Sequence, residues 1–529
     1  MFKDEIRLAP YIDKRQAAIE LAWCFPGTYS IGMTGLGYQL VWWLMEQDPQ
    51  VLVKRCFTDM DEGDLSRCRY FGFTLSWELD FINMVHILDK YRIERDSSTR
   101  SDNDPIVFGG GPVLTANPEP FAHLFDVILL GDAEKTVPAF IDCLKNLNGN
   151  ATRREKLEAL AVIPGIYIPS AFEFSYQSES GPISDIRPNA QGLNNQPQKL
   201  IFKPPVDYIA QTQILSPKTT WGDSFLMEII RSCPQECGFC LASYLTKPVR
   251  FTSVDTIGDT VDRILPYTKK VGLLGPSISE HPKFLEILET LYARVDQGLQ
   301  VTIASVRADT ITEPIARKLS QMGQRSITIA IESGSQRLRD LIRKNLTTKE
   351  IEDCLSAAEE GGLQAIKFYG MVGLPYEEQA DLDETVALMT RLKKTHKKLK
   401  LTLGVSSFVP KAQTPFQWLG RDEKAGDKIE FMRKAMAKIG IEVRPESNKW
   451  SDIQALLSRG DRRLTPILNT IDTSNQSLGS WRKALRERSS SCPDLQYYAY
   501  REIPRDEILP WSHLSTESNT AMLLQKLAK

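Results

Sequence analysis

The sequence predicts an α/β protein with two parallel β-sheets and a smaller, mostly helical C-terminal region. Short apolar runs alternate with amphipathic stretches over residues 1–150, and the alternation resumes at Phe225 and continues to about residue 425. Such alternation is typical of parallel sheets that carry helices on their faces. A chain of 529 residues is long enough to form two or three domains.

The first 150 residues are predicted to form a doubly wound parallel sheet. The predicted strands are the apolar runs at residues 19–24, 51–57, 69–75, 106–108 and 127–130. The predicted helices are at residues 36–45, about 80–91 and 133–146. Residues 151–215 are predicted to be a β-hairpin, made by residues 165–168 and 172–176, and a linker rich in Gln, Asn and Pro near 188–198.

Residues 216–425 are predicted to form a partial, TIM-like (β/α)6 barrel. The predicted strands lie near residues 225–230, 271–274, 300–304, 326–331, 364–370 and 401–407. Helices separate them, and Thr347-Thr-Lys-Glu350 has the pattern of a capping box at the start of one. A closed barrel of this type has eight such units, so six units predict an open one. Residues 426–529 lack this rhythm and are expected to be a helical cap.

The composition is that of an ordinary globular protein and gives no global attraction to nucleic acid or membrane. Hydrophobic residues make up 42% of the chain, charged residues 25%, and the formal net charge is −2. The first seven residues lack the apolar core of a signal peptide, and no apolar run is long enough for a membrane span. The basic run at residues 393–398 is expected to be a solvated helix end. The odd count of nine cysteines, six of them scattered, argues against disulfides and predicts a reducing cytoplasm.

Three cysteines, Cys233, Cys237 and Cys240, lie within eight residues on a predicted loop after the first barrel strand. Parallel α/β barrels place their chemistry at this end of their strands. No fourth Cys or His lies near them in the sequence. The spacing is compatible with an iron–sulfur cluster that has three thiolate ligands, with a zinc ion, or with a Cys-x-x-C redox pair. Structural zinc sites fill four positions, and a redox pair leaves Cys233 unexplained, so a cluster with an open iron is the favoured interpretation.

The CxxxCxxC pattern, with Phe239 before its last cysteine, resembles the radical S-adenosylmethionine (SAM) superfamily. The resemblance implies a four-iron four-sulfur cluster on the three thiolates and SAM on the fourth iron. It also implies a partial (β/α)6 barrel and an electron donor of the flavodoxin or ferredoxin type. Reductive cleavage of SAM would then give a 5′-deoxyadenosyl radical that abstracts a hydrogen atom from the substrate.

Further segments resemble this superfamily at the ends of the later predicted strands. The resemblance implies that they contact SAM, and the candidate cofactor-binding residues are Phe239, Gly275, Ser305, Arg307, Glu332, Ser333 and Gly373. Each has an alternative explanation from its residue type. Arg307 suits a structural ion pair, Glu332 suits a helix N-terminus, the glycines suit turns, and Phe239 suits core packing.

The N-terminal region is similar to the cobalamin-binding-type domain that precedes many radical SAM barrels. The similarity is carried by three segments, Phe108-Gly-Gly-Gly-Pro112, Asn117-Pro-Glu-Pro120 and Leu130-Gly-Asp-Ala-Glu134. The cobalt-ligating Asp-x-His-x-x-Gly pattern is missing from the sequence. His86 and His123, the histidines of this half, are in apolar surroundings and are expected to be packed. The resemblance leaves open whether cobalamin binds without a protein ligand or has been lost.

The leading functional hypothesis is a radical SAM enzyme that acts on a substrate the sequence does not identify. One alternative is a cobalamin-dependent radical SAM methyltransferase, and another is a non-catalytic iron–sulfur sensor or scaffold. The C-terminal stretch 449–463 has an apolar face that is expected to dock on the core. Its three arginines, Arg459, Arg462 and Arg463, are alternatively suited to an anionic substrate.

Overall fold

The computed structural model describes residues 3–189, 195–473, 477–487, 492–516 and 520–527. Residues 190–194, part of the predicted Gln/Asn/Pro-rich linker, lie outside the described residues. The fold class expected from the sequence is confirmed: two parallel sheets flanked by helices precede a mostly helical C-terminal region. Within the described residues, no helix is both long and apolar enough to cross a membrane.

The N-terminal sheet has five parallel strands and one antiparallel edge strand. Their spatial order is Val51–Cys56, Ile19–Cys24, Tyr70–Thr74, Ile106–Gly110, Val127–Leu129 and Ile166–Tyr167. All five strands predicted for this region are confirmed. In chain order the parallel strands run 2-1-3-4-5, which is a doubly wound order with its switch point between Ile19–Cys24 and Tyr70–Thr74. The helices of this region are Tyr29–Gly32, Leu36–Glu46, Phe81–Lys90, Pro112–Ala116, Ala133–Asn146 and Arg153–Ala161.

The predicted hairpin between residues 165–168 and 172–176 is wrong in its pairing. Ile166–Tyr167 instead forms the antiparallel edge of the N-terminal sheet, where both side chains are fully buried. Phe172–Tyr176 pairs with Ile183–Pro188, which the sequence did not single out as a strand. The β-pattern was read correctly for residues 166–167 and 172–176, but a pattern of that kind does not specify which strand a segment will pair with.

The barrel has seven parallel strands, which form a three-stranded and a five-stranded sheet that share the third strand. They are Phe225–Glu228, Lys270–Leu274, Gln300–Ile303 continuing into Ser305–Val306, Ser326–Glu332, Ala365–Val372, Lys400–Ser407 and Glu442–Pro445. The six predicted strands are confirmed, and the seventh was missed. Glu442, Arg444 and Pro445 are exposed, so this edge strand lacks the apolar run by which the others were recognised. After the first strand, Ile230–Arg231 pairs with Arg250–Phe251 in a short antiparallel ribbon.

Helices alternate with the barrel strands, and four further helices form much of the C-terminal region. The barrel helices are Ala242–Leu245, Val254–Ile264, Phe284–Tyr292, Glu313–Gln321, Gln336–Leu341, Thr348–Glu360, Gln379–Thr395 and Ala425–Lys438. The predicted capping box of Thr347 and Glu350 is confirmed. The C-terminal helices are Asn448–Arg459, Thr465–Thr470, Leu478–Glu487 and Thr520–Leu527.

The two sheets face each other through the carboxyl ends of their strands. Asp132, just after Val127–Leu129, forms ion pairs with Arg231 and Arg250 at the end of the first barrel strand. Glu78, after Tyr70–Thr74, lies 2.5 Å from Lys411, which follows the sixth barrel strand. Because parallel α/β folds bind their ligands at these strand ends, the contact region joins the two edges at which chemistry is expected.

Candidate functional site

The cysteine loop is held between two other segments of the barrel mouth. The backbone N–H of Gly238 donates to the carbonyl of Ile342 at 3.0 Å, and the N–H of Phe416 donates to the carbonyl of Gly238 at 3.0 Å. A Cβ atom at Gly238 would lie 2.6 Å from the Phe416 ring, so a larger residue would push the loop away from its support. The loop is therefore anchored at its centre, between the second and third cysteines.

All three thiols of the loop are free, and two of them are buried. Cys233 and Cys237 are buried and Cys240 is half-buried. Burial raises the pKa of Cys233 to about 11 and that of Cys237 to about 12, and the charges of the neighbouring loop thiols add to both shifts. The three side chains are thus near enough to influence one another, and burial favours the protonated form of Cys233 and Cys237 until a positively charged group binds them.

This donor set fits an iron–sulfur cluster. Thiolates that bind separate irons of one cluster need not converge on a single point. Among the described residues, no group of three His, Cys, Asp or Glu side chains is arranged around a single metal ion. The three free thiols, grouped on one anchored loop at a strand end, match what a cluster with one open iron requires of the protein.

A carboxylate that the sequence did not single out, Glu280, contacts the first cysteine. The Sγ atom of Cys233 lies 3.7 Å from Glu280 Oε2, and Gln235 Nε2 donates to Glu280 Oε1 at 2.5 Å. Glu280 follows the second barrel strand, so it approaches the loop from a neighbouring strand end. It had no recognisable signal because its short helical turn contains no motif.

A buried ion pair of Glu332 and Lys344 lies beside Cys237. Lys344 Nζ donates to Glu332 Oε1 at 2.9 Å, and both side chains are about nine-tenths buried. Burial opposes the positive charge, but Glu332 and the thiol of Cys237 outweigh it and raise the pKa of Lys344. Glu332 was predicted as a site residue, whereas Lys344 was missed because a basic residue after a helix is usually a solvated end.

The backbone of Glu332 supports a specialised role for this residue. It ends the fourth strand at an irregularity in the pairing with the fifth, and its φ is +61°. A non-glycine residue in the left-handed region costs of order 1–3 kcal/mol and persists where the surroundings enforce it, most often at functional sites. The alternative that Glu332 caps a helix is not what is seen, since Ser335 is the residue before the next helix and its side chain accepts from Leu338.

Arg307 is occupied by protein groups rather than directed at open space. Its guanidinium pairs with Asp309 at 2.9 Å and donates to the carbonyls of Lys344 and Asn345 at 3.2 and 2.8 Å. Glu280 Oε1 lies 3.7 Å away. These contacts join the third strand end to the Lys344 turn, so Arg307 has the structural ion-pair role that was the alternative for it.

The remaining predicted residues fall into two groups. Phe239 is part of the cysteine loop, and Gly275 lies against the segment that precedes the loop. Phe239 packs with the apolar cluster that contains Phe416, and a Cβ atom at Gly275 would lie 2.6 Å from the carbonyl oxygen of Ile230. Ser333, next to Glu332, is within 3.5 Å of the Thr385 hydroxyl.

Ser305 and Gly373 each make contacts with neighbouring residues of the chain at the end of a strand. Ser305 pairs with Thr328 in the barrel sheet. The N–H of Gly373 donates to Glu377 Oε2 at 2.7 Å, in a turn where its φ is +67°. The contacts of these two residues within the described part of the chain are therefore those of a strand and a turn.

The three C-terminal arginines are buried in contacts with the protein, which agrees with docking of this stretch on the core. Arg459 donates to the carbonyls of Leu419 and Arg501, both at 2.9 Å. Arg462 Nε lies 2.6 Å from the fully buried Glu119, and Arg463 pairs with Asp461 at 2.7 Å. Arg462 and Arg463 are therefore paired with carboxylates of the protein, whereas Arg459 contacts carbonyls only.

The glycines that resemble a cobalamin cradle are used for close packing of the chain itself. A Cβ atom at Gly131 would lie 2.1 Å from the carbonyl oxygen of Leu200, and one at Gly111 would lie 2.5 Å from that of Leu75. His86 and His123 are half-buried rather than packed, and His123 lies 3.8 Å from Asp96. Asp96 belongs to the segment that precedes the strand Ile106–Gly110, so His123 lies away from the carboxyl ends. These residues do not fit a histidine-ligated cobalamin.

The geometry defines a thiol site of the iron–sulfur type at the mouth of a parallel α/β barrel. The family described as "Radical SAM superfamily" matches residues 227–389, and the family described as "Radical SAM proteins, N-terminal" matches residues 42–169. The chain belongs to the radical SAM superfamily. It is an enzyme of this class, and its cofactors are a four-iron four-sulfur cluster and SAM.

Two relatives come from archaea. The chain is 29% identical to the uncharacterised protein MJ0966 of Methanocaldococcus jannaschii, over 75% of this chain and 79% of that protein. It is 23% identical to the uncharacterised methyltransferase PH0819 of Pyrococcus horikoshii, over 58% of this chain. The match spans 61% of the Pyrococcus protein.

Two solved structures share the fold at low sequence identity. The radical SAM methyltransferase TsrM from Kitasatospora setae, with cobalamin and a [4Fe-4S] cluster bound, has a TM-score of 0.53 and 12% identity and covers 89% of this chain and 100% of that one. The cobalamin-dependent SAM radical enzyme OxsB, with aqua-cobalamin bound, has a TM-score of 0.50 and 12% identity and covers 96% of this chain and 78% of that one. At these identities the likeness is one of fold.

Proposed function

We propose that Cys233, Cys237 and Cys240 hold the four-iron four-sulfur cluster, and that the protein cleaves SAM reductively to start radical chemistry on a substrate held between the two facing sheet edges. The observation that carries this assignment is the grouping of three free thiols on one anchored loop at the end of the first barrel strand. When bound, the cluster supplies the electron that cleaves SAM. The protein supplies position, charge and exclusion of water.

The charged pair beside Cys237 is suited to the polar end of SAM. Methionine presents an ammonium and a carboxylate, and Glu332 and Lys344 present the complementary charges in a buried setting. Gly275 and Ser333 follow the second and fourth barrel strands, and Phe239 provides an apolar surface next to the last cysteine. Arg307 supports the Lys344 turn through its two carbonyl contacts, while Ser305 and Gly373 stay in the proposed set only through their strand-end positions.

The remaining sequence predictions complete the proposal. We keep the division into residues 1–150 as the N-terminal sheet, 151–215 as hairpin and linker, 216–425 as the radical SAM barrel and 426–529 as the helical cap, with two changes. Ile166–Tyr167 belongs to the N-terminal sheet, and Glu442–Pro445 belongs to the barrel. Radical SAM chemistry needs a reductant. We propose a flavodoxin or ferredoxin type of donor and a reducing cytoplasm, which suits the free state of all nine cysteines.

Anaerobic reconstitution tests the assignment. The wild-type protein is expected to take up about four irons per chain and to form 5′-deoxyadenosine from SAM on reduction. Cys233→Ala should lose the cluster and this product, whereas Cys143→Ala, at a half-buried cysteine on the helix Ala133–Asn146, should keep both. A Cys233→Ala protein that binds the cluster and cleaves SAM normally would contradict the proposal.

Cobalamin-dependent methyl transfer is a second candidate. The observation in its favour is the doubly wound strand order of the N-terminal sheet, whose carboxyl ends face the barrel. His86 and His123 are not suited to ligate a cobalamin, for the reasons given above. Formation of S-adenosylhomocysteine together with bound cobalt would support this candidate, and full activity of cobalt-free protein would exclude it.

A further inference from the structure

A cavity of about 670 Å³ lies where the two sheet edges meet, and we call it the tryptophan cavity. One wall is the segment 77–83, which follows the strand Tyr70–Thr74 at the switch point of the N-terminal sheet. The opposite wall is the helix Asn448–Arg459, which follows the seventh barrel strand, and Trp481 of the helix Leu478–Glu487 also lines it. Its size and its place at a switch point between two sheets are those of a small-molecule site.

Three tryptophans supply most of the aromatic surface of this cavity. Trp77 is half-exposed at 50%, which is unusual for a residue of this size, and Trp450 is partly buried. Trp481 is 1% exposed and packs edge-on against Phe81, with ring centroids 5.5 Å apart. The indole N–H of Trp481 is buried without a hydrogen-bond partner.

The ionisable side chains that line the cavity are acidic. Its lining contains the carboxylates of Asp80 and Glu446, and none of the described residues that line it is Lys, Arg or His. The neighbouring Glu78 is not part of the lining; Lys411 pairs with it and Gln454 donates to it at 2.9 Å. Burial raises the pKa of Asp80 to about 7, because its carboxylate loses hydration. A cation bound beside the carboxylate would replace part of this lost hydration.

We propose that the tryptophan cavity binds an organic cation, a small molecule whose amine or quaternary ammonium group lies against the indole rings. Indole faces attract cations through their quadrupole, and tryptophan does so best among the aromatic residues. Two acidic groups at the wall add attraction for a cation and repel phosphates and carboxylates. This inference goes beyond the proposed function, because it assigns a ligand site whose described lining residues include none of the cysteine loop and none of the candidate SAM-contacting residues.

The test uses choline and its uncharged isostere 3,3-dimethylbutan-1-ol as probes. Binding to the full-length protein is followed by tryptophan fluorescence and by saturation-transfer NMR. Choline is expected to bind about tenfold more tightly than the isostere, the order of a desolvated cation–π contact. Equal binding of the two probes, or binding of neither, would overturn the proposal.

Two variants locate the binding. Trp77→Ala should weaken choline binding about tenfold, while Trp221→Ala, at another tryptophan that is 53% exposed, should leave it unchanged. Asp80→Asn provides a second, nearly isosteric variant that should also weaken it. Unchanged binding in both Trp77→Ala and Asp80→Asn would contradict the assignment, as would displacement of choline by stoichiometric hydroxocobalamin.

This test separates the inference from the proposed function. Choline binding needs neither the cluster nor SAM, so it is measured on protein as purified and again after reconstitution. A protein that cleaves SAM but shows no preference for the cation fails the inference alone. A protein that binds choline in the tryptophan cavity but forms no cluster on Cys233, Cys237 and Cys240 fails the proposed function alone.

Discussion

The two facing sheet edges are both formed by the carboxyl ends of parallel strands, but the side chains at the two edges have different contacts. At the barrel edge, free thiols, the buried pair of Glu332 and Lys344 and a left-handed glutamate backbone gather around one loop. At the N-terminal edge, Asp132 and Glu78 are paired with arginine and lysine side chains of the barrel. The barrel edge keeps groups that internal packing does not explain, whereas much of the N-terminal edge is used to hold the two sheets together.

Glycines at the strand ends are less informative about ligand binding than the thiols are. Gly131 and Gly275 each follow a parallel strand, and each lies where a Cβ atom would meet the backbone of another segment, that of Leu200 or that of Ile230. Glycine at such a position therefore indicates close approach of chain to chain as readily as close approach to a ligand. The thiols carry more information, because packing alone does not require three free cysteines on one loop, two of them buried.

Breaking the ion pairs between the sheets should produce the largest effect. Arg231 contacts Asp132, Glu134 and Glu228, and its side chain is 16% exposed. Arg231→Met should lower the free energy of unfolding by about 3–5 kcal/mol, because the buried carboxylate of Glu134 and the half-buried one of Glu228 lose their cation, while Asp132 keeps Arg250. Urea denaturation measures this loss. Arg317→Met, which breaks only an exposed helical pair with Glu313, should cost less than about 1 kcal/mol. Equal costs for the two variants would contradict the account of the N-terminal edge.

The barrel edge should respond in catalysis rather than in stability. Lys344→Met removes the cation beside Glu332 and Cys237, and SAM cleavage should fall by about 10²-fold, equivalent to roughly 2.7 kcal/mol. The rate of 5′-deoxyadenosine formation at saturating reductant measures it, with iron content determined on the same sample. Lys349→Met, at an exposed lysine five residues further on, is the control. Wild-type SAM cleavage by Lys344→Met would show that this pair serves folding alone.

The carboxyl of Glu119, in the N-terminal region, should make the free energy of unfolding depend on pH. Burial raises the pKa of this carboxyl, but Arg462 and His513 outweigh burial and lower it to about 2 from 4.5. A carboxyl with a lowered folded pKa contributes stability above its unfolded pKa, and the contribution is lost as the pH falls. Glu119 should therefore contribute about 2 kcal/mol to the drop in the free energy of unfolding between pH 5 and pH 3, and Glu119→Gln should remove this part, while other paired carboxyls such as Asp96 and Glu236 keep theirs. An unchanged pH profile in the variant would contradict the assignment.

Periodicity was sufficient to predict most of the fold. Six barrel strands and five strands of the N-terminal sheet were recognised because buried parallel strands form continuous apolar runs. The exposed strand Glu442–Pro445 has no such run, and the partner of Phe172–Tyr176 is decided by tertiary contacts. The sequence therefore predicted the strands that are buried, because burial requires apolar residues along the whole strand.

The candidate site was predictable only in part, for a different reason. The three cysteines share one short segment, so their spacing carries the prediction. Glu280 and Lys344 reach the loop from other strand ends, 40 and more than 100 residues further along the chain, and no local pattern marks them. Arg307 shows the converse, since a residue at the expected strand end turned out to be bound by Asp309 and two carbonyls.

The central claim is that the cluster on Cys233, Cys237 and Cys240 keeps an iron open for SAM. The most direct measurement is electron paramagnetic resonance of the reduced, reconstituted protein during titration with SAM. A change in the g-values that saturates near one equivalent of SAM per cluster, and that disappears in Lys344→Met or needs far more SAM there, is the predicted result. A cluster spectrum that SAM leaves unchanged, in protein with about four irons per chain, would contradict the account and identify a redox sensor instead.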